Sequence, residues 1–226
     1  MSLKQLDNFV RLLKASPSGA VFNPWWQIDD NNDIGPRSPA IRRKHLAVYF
    51  SERFGKARLV VIGEALGYRG GHFSGIPMTS ERMLLGKQAE IVVAPQILAS
   101  IKPRRTSKPS VCPDGFSEPT ATIVWGALLK IGVLPDEFVL WNAFPWHSFD
   151  RRQGMLSNRM PNKSEQTVGL PVLKAFLELV PCDEVVALGK IAAAQLKAIG
   201  VKAHCVRHPA SGGAKLFRKQ IVSIVR

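Results

Sequence analysis

Short β-branched apolar runs alternate along the chain with longer stretches of helical spacing. The runs at residues 58–62, 137–142, 184–188 and 202–206 have the length and composition of buried strands. Strands that alternate with helices form parallel sheets that helices cover on both faces. The pattern therefore predicts a three-layer α/β/α sandwich around a four-stranded parallel sheet, built as one domain of 226 residues.

Helical periodicity and capping residues place the helices between these strands. Asn162 and Glu165 stand at the spacing of a capping box, and Gly55 suits a helix C-cap. Two helices precede the sheet, so we expect residues 1–57 to form a helical extension packed on the domain. Helices are predicted at residues 2–15, 39–54, 121–132, 164–180 and 190–199, from about Glu81, and after Gly213.

A glycine-rich segment from Gly63 to Ser80, GEALGYRGGHFSGIPMTS, follows the first predicted strand. Its five glycines allow backbone angles that other residues avoid, and they let a ligand approach the main chain closely. Open α/β sheets bind ligands at loops of this kind, at the carboxyl ends of the strands. We therefore expect this segment, called the glycine loop below, to form one wall of a binding site.

Polar residues follow two other predicted strands in the same manner. Asn142 ends the second strand, and His208 stands in a basic, glycine-rich loop after the fourth. The carboxyl ends of parallel strands meet at one edge of the sheet, so Glu64, Asn142 and His208 are expected to converge. A carboxylate in a water-poor cleft can polarise a water, and an amide can recognise both a donor and an acceptor.

Each candidate also has a purely structural interpretation. Glu81 suits the first turn of a helix, where its charge favours the dipole, as well as it suits a catalytic role. A lone asparagine such as Asn142 more often makes a turn. Apolar groups of the glycine loop, such as Phe73 and Met78, either stack on bases or pack at the edge of the sheet.

The net charge of +14 is unevenly distributed along the chain. No acidic residue follows Glu184, and the proline-rich segment 100–120 carries a second basic cluster. A basic surface either keeps a protein in solution or binds a polyanion, and its position beside the candidate loops favours nucleic acid. We expect segment 100–120 to be a mobile surface loop that faces DNA. Its basic cluster comprises Lys102, Arg104, Arg105 and Lys108.

Several classes of protein are disfavoured by what the sequence lacks. No apolar run approaches the roughly 20 residues of a membrane-spanning helix. Cys112, Cys182 and Cys205 form no metal-binding or redox pair, and neither His72 nor His147 has a second ligand at metal-binding spacing. We therefore expect a monomeric cytoplasmic protein with reduced thiols, without a metal or another cofactor.

The three loops together resemble the uracil-DNA glycosylase superfamily over about residues 59–218. The segment GEALG from Gly63 is similar to the opening GEAPG motif of its bacterial branches. Asn142 with the later NRMP segment is similar to the middle motif, and the HPA segment from His208 is similar to the closing motif. Each motif is weak alone, but the three occur in order and each lies at a predicted strand end.

Departures from the family pattern bear on the expected site. Ala65 occupies the place of the water-activating Asp of the best-known branch, so that role would pass to Glu64 or Glu81. Met78 replaces the Phe on which the flipped uracil usually stacks, and a thioether packs on a ring without forming a flat platform. The cysteines of the iron–sulfur branch are absent, so no cluster is expected.

The resemblance implies the strand order 2-1-3-4 and hydrolysis of the N-glycosidic bond of a damaged base in DNA, with uracil as the expected base. His208 would hydrogen-bond the charge that develops on the leaving base. A binding protein of the same fold, a glycosylase for hypoxanthine or xanthine, and an enzyme acting on free nucleotides stay open as alternatives. The base-recognition candidates are Asn142, Met78, Gly63 and Phe73. The DNA-binding candidates are Lys102, Arg104, Arg105, Arg207, Ser211, Gly212 and Lys215.

Overall fold

The computed structural model describes residues 3–225. Met1, Ser2 and Arg226 lie outside the described residues, so the start of the first helix at residue 2 stays a prediction. Helices and strands alternate through most of the chain, as the hydrophobic pattern predicted. In order, the elements are α1 (Leu3–Leu12), β1 (Val21–Phe22), α2 (Ser38–Arg53), β2 (Leu59–Ala65), α3 (Gly71–Ser74), α4 (Glu81–Leu84), α5 (Ala94–Ile97), α6 (Pro119–Lys130), β3 (Phe138–Phe144), β4 (His147–Ser148), α7 (Lys163–Leu179), β5 (Glu184–Leu188), α8 (Lys190–Ala198), β6 (His204–Val206) and α9 (Ala214–Val225).

The four-stranded parallel sheet has the order β3-β2-β5-β6. Counted along the chain, its strands follow the order 2-1-3-4, so the predicted fold class and strand order are confirmed. Residues Leu59 to Ile62 of β2 are buried because strands flank them on both sides and helices cover both faces. This order sets the carboxyl end of β2 beside that of β3, with Gly63 opposite Asn142.

Two groups of helices cover the sheet. Helices α1, α2 and α7 contact one another or β3, and α9 packs against α6 and β6. Trp141 of β3 stacks on Phe176 at 4.9 Å between ring centroids and meets Phe9 at 5.4 Å. Tyr49 Oη accepts a hydrogen bond of 3.0 Å from the main-chain N–H of Leu140 on the outer edge of β3. These contacts attach the N-terminal helices to the sheet, while the division into domain and extension stays a prediction.

Some elements differ from the prediction. Strand β2 continues beyond the predicted end at residue 62 because Ala65 still pairs with Phe144, so Glu64 lies on the strand itself. Strands β1 and β4 form a small antiparallel sheet that the pattern did not predict, since each has two residues. Among the described residues, no helix is long and apolar enough to cross a membrane.

Segment 100–120 is not a mobile surface loop throughout, which corrects the expectation. Thr106 and Ser107 are fully buried, and their main-chain N–H groups donate to Glu81 Oε1 at 2.7 and 2.9 Å. The main chain of residues 32–34 adds two more hydrogen bonds to the same segment. Buried polar groups require such partners, and these contacts fix the centre of the segment and leave its flanks exposed.

Candidate active-site cleft

A cleft of about 360 Å³ opens at the carboxyl edge of the sheet, where β2 and β3 end. Glu64 of β2, Asn142 of β3 and His208 of the loop after β6 all line it. The fold thus brings together the three strand-end residues selected from the sequence, because the parallel strands all point to this edge. The glycine loop, the segment around Asn158 and the start of α6 supply the other walls.

The Asn142 amide is buried in the cleft without a protein partner. The residue is 2% exposed, and no group among residues 3–225 hydrogen-bonds to its side chain. A Cβ on Gly63 would lie 2.5 Å from Asn142 Oδ1 and 3.2 Å from Met78 Sδ, so only glycine leaves room for both side chains. Buried polar groups nearly always have partners, and this amide is therefore available to a ligand.

Met78 has an unusual backbone conformation for its residue type. Its φ of 47° lies in the left-handed region, which costs about 1–2 kcal/mol for a residue with a side chain. The side chain is buried and contributes to the wall of the cleft beside Gly63. Strain of this kind persists where the surrounding structure imposes it, and here the loop holds the thioether in the cleft wall.

His208 is half-buried and its tautomer is defined by one hydrogen bond. The main-chain N–H of Ala210 donates to His208 Nδ1 at 3.1 Å, so the neutral ring carries its proton on Nε2. Burial and the charge of Arg207 lower the pKa of His208, so the ring is neutral at pH 7. Gly213 allows this tight loop, because a Cβ there would lie 2.0 Å from the His208 carbonyl oxygen. The ring is thus an Nε2–H donor at the cleft.

The two acids that the sequence left as equal candidates have different surroundings. Glu64 lines the cleft, and burial raises the pKa of its carboxyl group. Glu81 is fully buried outside the cleft lining. It accepts hydrogen bonds from the main chains of Thr106 and Ser107 and from the Ser107 hydroxyl. Glu81 therefore anchors segment 100–120.

Phe73 lies behind the wall of the cleft and is not among the residues that line it. Its fully buried ring stacks on Phe116, with 4.5 Å between the centroids and 7° between the planes. Its carbonyl oxygen accepts a hydrogen bond of 2.6 Å from the Thr106 hydroxyl. These contacts give Phe73 a packing role inside the glycine loop.

Glu118 is a cleft residue that sequence reasoning missed. It precedes α6 and packs against the glycine loop, where a Cβ on Gly70 would lie 2.0 Å from its Oε2. Burial raises the pKa of this carboxyl group to about 7. The one sequence feature that could have indicated Glu118 is its acidic side chain within segment 100–120, which is mostly basic and rich in proline.

The middle motif forms a brace beside the cleft. Arg159 makes two hydrogen bonds to the Glu165 carboxylate, at 2.7 and 2.6 Å. Glu165 also closes the capping box with Asn162 at the start of α7, as the spacing predicted. Asn158 Oδ1 accepts a hydrogen bond of 3.0 Å from the main-chain N–H of Tyr68. The motif therefore holds Asn158 against the glycine loop.

A buried histidine pair ties the glycine loop to the segment before Asn158. His72 Nδ1 and His147 Nδ1 lie 3.0 Å apart, and His147 Nε2 donates to the Ser157 carbonyl oxygen at 2.7 Å. Burial lowers the pKa of His147 to about 3, so the ring is neutral and its Nδ1 accepts from His72. His72 Nε2 lies 3.1 Å from Asp29 Oδ2, so the histidine pair also meets the segment that carries Asp29.

Comparison with known proteins establishes the family. The profile described as the uracil DNA glycosylase superfamily matches residues 52–224, which include all three loops. The chain belongs to this superfamily. It is also similar to the crystal structure of wild-type SMUG2 from Pedobacter heparinus, with a TM-score of 0.63 and 13% identity over 98% of this chain and 96% of that chain. At that identity the likeness concerns the fold, and no curated protein matched the sequence.

Membership makes the chain a hydrolytic DNA glycosylase of base excision repair. The basic residues predicted to bind DNA fall into two groups, those whose side chains hydrogen-bond to other described residues and those whose side chains do not. Lys102 and Arg104 line a cavity of about 230 Å³ with Arg37 and Lys44, and these four side chains make no hydrogen bond or ion pair within the described part of the chain. Arg105 instead donates to two main-chain carbonyl groups and ties its own segment together.

The loop that carries His208 exposes the other basic and turn residues of the glycosylase. Ser211 and Gly212 have φ angles of 52° and 76° in a tight turn. Arg207 lines a further cavity, of about 420 Å³, that shares His208 with the cleft. Lys215 is exposed in the first turn of α9. Arg207, Ser211, Gly212 and Lys215 are thus all exposed in or directly after the loop of the closing motif.

Proposed function

We propose that this glycosylase removes a damaged base from DNA by hydrolysis, with uracil as its main substrate. One observation supports the proposal most strongly. The cleft brings together the unpartnered amide of Asn142, the partly buried carboxyl group of Glu64 and the Nε2–H donor of His208. These groups can recognise a base, hold a water and stabilise the leaving base.

The Asn142 amide is suited to uracil. Uracil presents an acceptor at O4 beside a donor at N3, and an amide offers the complementary donor and acceptor in one plane. Cytosine reverses both groups, so Asn142 would meet it only with the amide flipped. The Met78 thioether forms an apolar surface beside the amide, against which the ring of the base can pack.

The reaction begins when the base leaves the helical stack, which costs a few kcal/mol. The glycosidic bond then breaks to give an oxocarbenium-like sugar, and negative charge develops on the base. The His208 Nε2–H donates a hydrogen bond to this charge, and fixed donors of this kind often make the largest contribution to catalysis. Glu64 polarises the water that adds to the sugar. Glu81 is left out of this scheme because its oxygens are occupied.

Two basic surfaces are proposed to bind phosphates, whose contacts offset the cost of extruding the base. The first comprises Lys102, Arg104 and the first turns of α2, which adjoin the glycine loop. There His45 Nδ1 donates to the Ser74 carbonyl oxygen at 2.9 Å. The second is the closing loop with Arg207. We propose that the enzyme acts as a monomer in a reducing compartment such as the cytoplasm, where its three free cysteines stay reduced.

Base release from labelled oligonucleotides tests the proposal. Strands carrying uracil, hypoxanthine, xanthine or a thymine mismatch are compared in single- and double-stranded form, with the matched undamaged strand as the control. We expect the fastest release from uracil. Tight DNA binding without release of any base would favour a binding protein of the same fold. Faster release of hypoxanthine or xanthine would reassign the substrate.

A further inference from the structure

Glu118 combines two properties that rarely occur together. Its Oε2 is sequestered from solvent and has no hydrogen-bond partner among the described residues, although the residue lines the cleft. Its carboxyl group lies against Gly70 and Gly67, whose missing side chains make room for it. If the carboxylate were ionised, its Oε2 would lack both water and donors, and burial of that charge without a partner would be costly.

The carboxyl group is therefore protonated under conditions in which ordinary glutamates are ionised. Burial raises the pKa of Glu118 to about 7 from the ordinary value of 4.5. Glu64 lies in the same cleft with its pKa raised by burial as well, but to a smaller extent. Two carboxyl groups whose pKa values differ within one site are suited to the separate roles of acid and base.

We propose that Glu118 is a second catalytic acid-base group of the cleft, whose protonated carboxyl group donates its proton to the leaving base. This role rests on the proposed base release. It adds a proton transfer to the reaction, because His208 stabilises charge by a hydrogen bond, whereas Glu118 gives up its proton. A base that leaves protonated departs as a neutral molecule.

Atoms and charges balance in this step. The electron pair of the glycosidic bond goes to the base, and the Glu118 proton goes to a ring nitrogen or exocyclic oxygen of that base. Water gives a proton to the Glu64 carboxylate, and its hydroxide oxygen bonds to the anomeric carbon of the sugar. The products are the neutral base, an abasic sugar, ionised Glu118 and protonated Glu64. Proton exchange with solvent then restores both carboxyl groups.

The pH dependence of base release can be assigned to Glu118 only after the other ionisable groups near it are considered. Glu64, Arg159 and His208 line the same cleft, and Arg69 lies on the glycine loop packed against it. The pKa of Arg159 is raised, so that side chain stays charged, and the pKa of His208 is lowered, so that ring stays neutral. Glu64 is therefore expected to give the acidic limb of the rate profile and Glu118 the alkaline limb.

Single-turnover base release between pH 5.5 and 9 tests this role, with the oligonucleotide that the wild type cleaves fastest. We expect the wild-type rate to fall about tenfold per pH unit above about pH 7. Glu118→Gln keeps the size of the side chain but has no proton to transfer. Its rate should be about 100-fold lower at pH 6 and independent of pH on the alkaline side, so that the two rates converge near pH 9. Glu178→Gln, at an exposed site on α7, is the matched control and should retain the wild-type profile.

Thermal melting provides a readout that needs no substrate. The folded state holds a proton on Glu118 that the unfolded state loses above about pH 4.5, so wild-type stability should fall as the pH rises from about 4.5 to about 7. Glu118→Gln removes this dependence and should melt at a higher temperature than the wild type at pH 8. The two proteins should melt alike near pH 4.

The outcomes separate this inference from the proposed function. An alkaline limb that survives in Glu118→Gln would overturn the role, and so would a wild-type rate that rises through pH 7. Equal melting temperatures at pH 8 would show that folding does not raise the pKa of Glu118, and would overturn the role. Absence of base release by the wild type from every strand would overturn the proposed function and this role together, whatever the melting result.

Discussion

Two sets of buried or partly buried polar groups border the glycine loop, and they differ in whether protein partners satisfy them. In the first set, called the paired network, each side chain hydrogen-bonds to another described residue. In the second, called the open set, no side chain does so within residues 3–225. The paired network comprises Asp29, Asp33, Arg42, His72, His147 and Glu81. The open set comprises Glu64, Glu118 and Asn142.

The difference indicates that the paired network stabilises the fold, whereas the open set is available to a ligand. A satisfied buried group fixes the elements that it joins, and removal of its partner leaves a desolvated charge or dipole behind. An unsatisfied group costs free energy in the free protein and gains its partner when a ligand enters. Changes in the paired network should therefore act on stability first. Changes at the cleft should act on base release first and should not destabilise the free protein.

The largest effect is expected from Asp33→Ala. Asp33 makes two hydrogen bonds to the fully buried Arg42 guanidinium, at 2.6 and 2.9 Å. Its removal should lower the free energy of unfolding by about 3–5 kcal/mol, because it leaves a buried charge unpaired. Urea denaturation measures this loss. Asp136→Ala breaks the exposed ion pair with Lys56 at 2.9 Å and should cost less than about 1 kcal/mol. Equal losses in the two variants would contradict the distinction.

His208→Ala should reduce base release by about 10²–10³-fold, which corresponds to about 2.7–4 kcal/mol, because it removes a fixed donor to the leaving base. Its urea midpoint should stay near that of the wild type, since the ring is half-buried and makes one hydrogen bond. His204→Ala is the control. This exposed histidine lies on β6, the strand that leads to the loop, and its side chain pairs with Glu184 of β5. A similar loss of rate in both variants would remove His208 from the reaction.

Asn142→Asp should slow uracil release at least tenfold. An ionised aspartate cannot donate to O4 of uracil, and an unmatched buried polar pair costs about 1–3 kcal/mol. The same side chain can accept from the amine of cytosine, so weak cytosine release is expected. Single-turnover rates on both bases measure the change, with the exposed Asn8→Asp as the control. A wild-type uracil rate in the folded variant would exclude Asn142 from base recognition.

The smallest effect is expected from basic residues and concerns the salt dependence of DNA binding. Arg105 hydrogen-bonds to main-chain carbonyl groups, whereas the side chains of Lys102 and Arg104 have no partner among the described residues. Lys102→Gln with Arg104→Gln should reduce the slope of log affinity against log salt by about 0.9 for each phosphate that the protein no longer neutralises. Lys130→Gln with Lys174→Gln removes the same charge from exposed helix positions that lead toward the amino ends of the strands. The control should keep the wild-type slope. An unchanged slope in the first variant would make Lys102 and Arg104 a solvated surface only.

The sequence pattern alone determined the layered fold and the three strand-end residues of the cleft. These features depend on local patterns, because apolar periodicity distinguishes strands from helices and parallel strands point their carboxyl ends to one edge. The motif resemblance supplied the family, which the profile match established. The capping box at Asn162 and Glu165 was predictable for the same reason, since it depends on spacing within one helix turn.

Tertiary structure alone decided which acids face the cleft. Glu81 is engaged by main-chain groups about 25 residues away, at Thr106 and Ser107, and no local pattern indicates that contact. Glu118 reaches the site because Gly70, 48 residues before it, lacks a side chain at the point where the two segments meet. The pKa of a carboxyl group depends on the water and donors that surround it in the fold. The sequence therefore supplied Glu64 and Glu81 as candidate acids, and only the packing of distant segments added Glu118 and decided which of the three line the cleft.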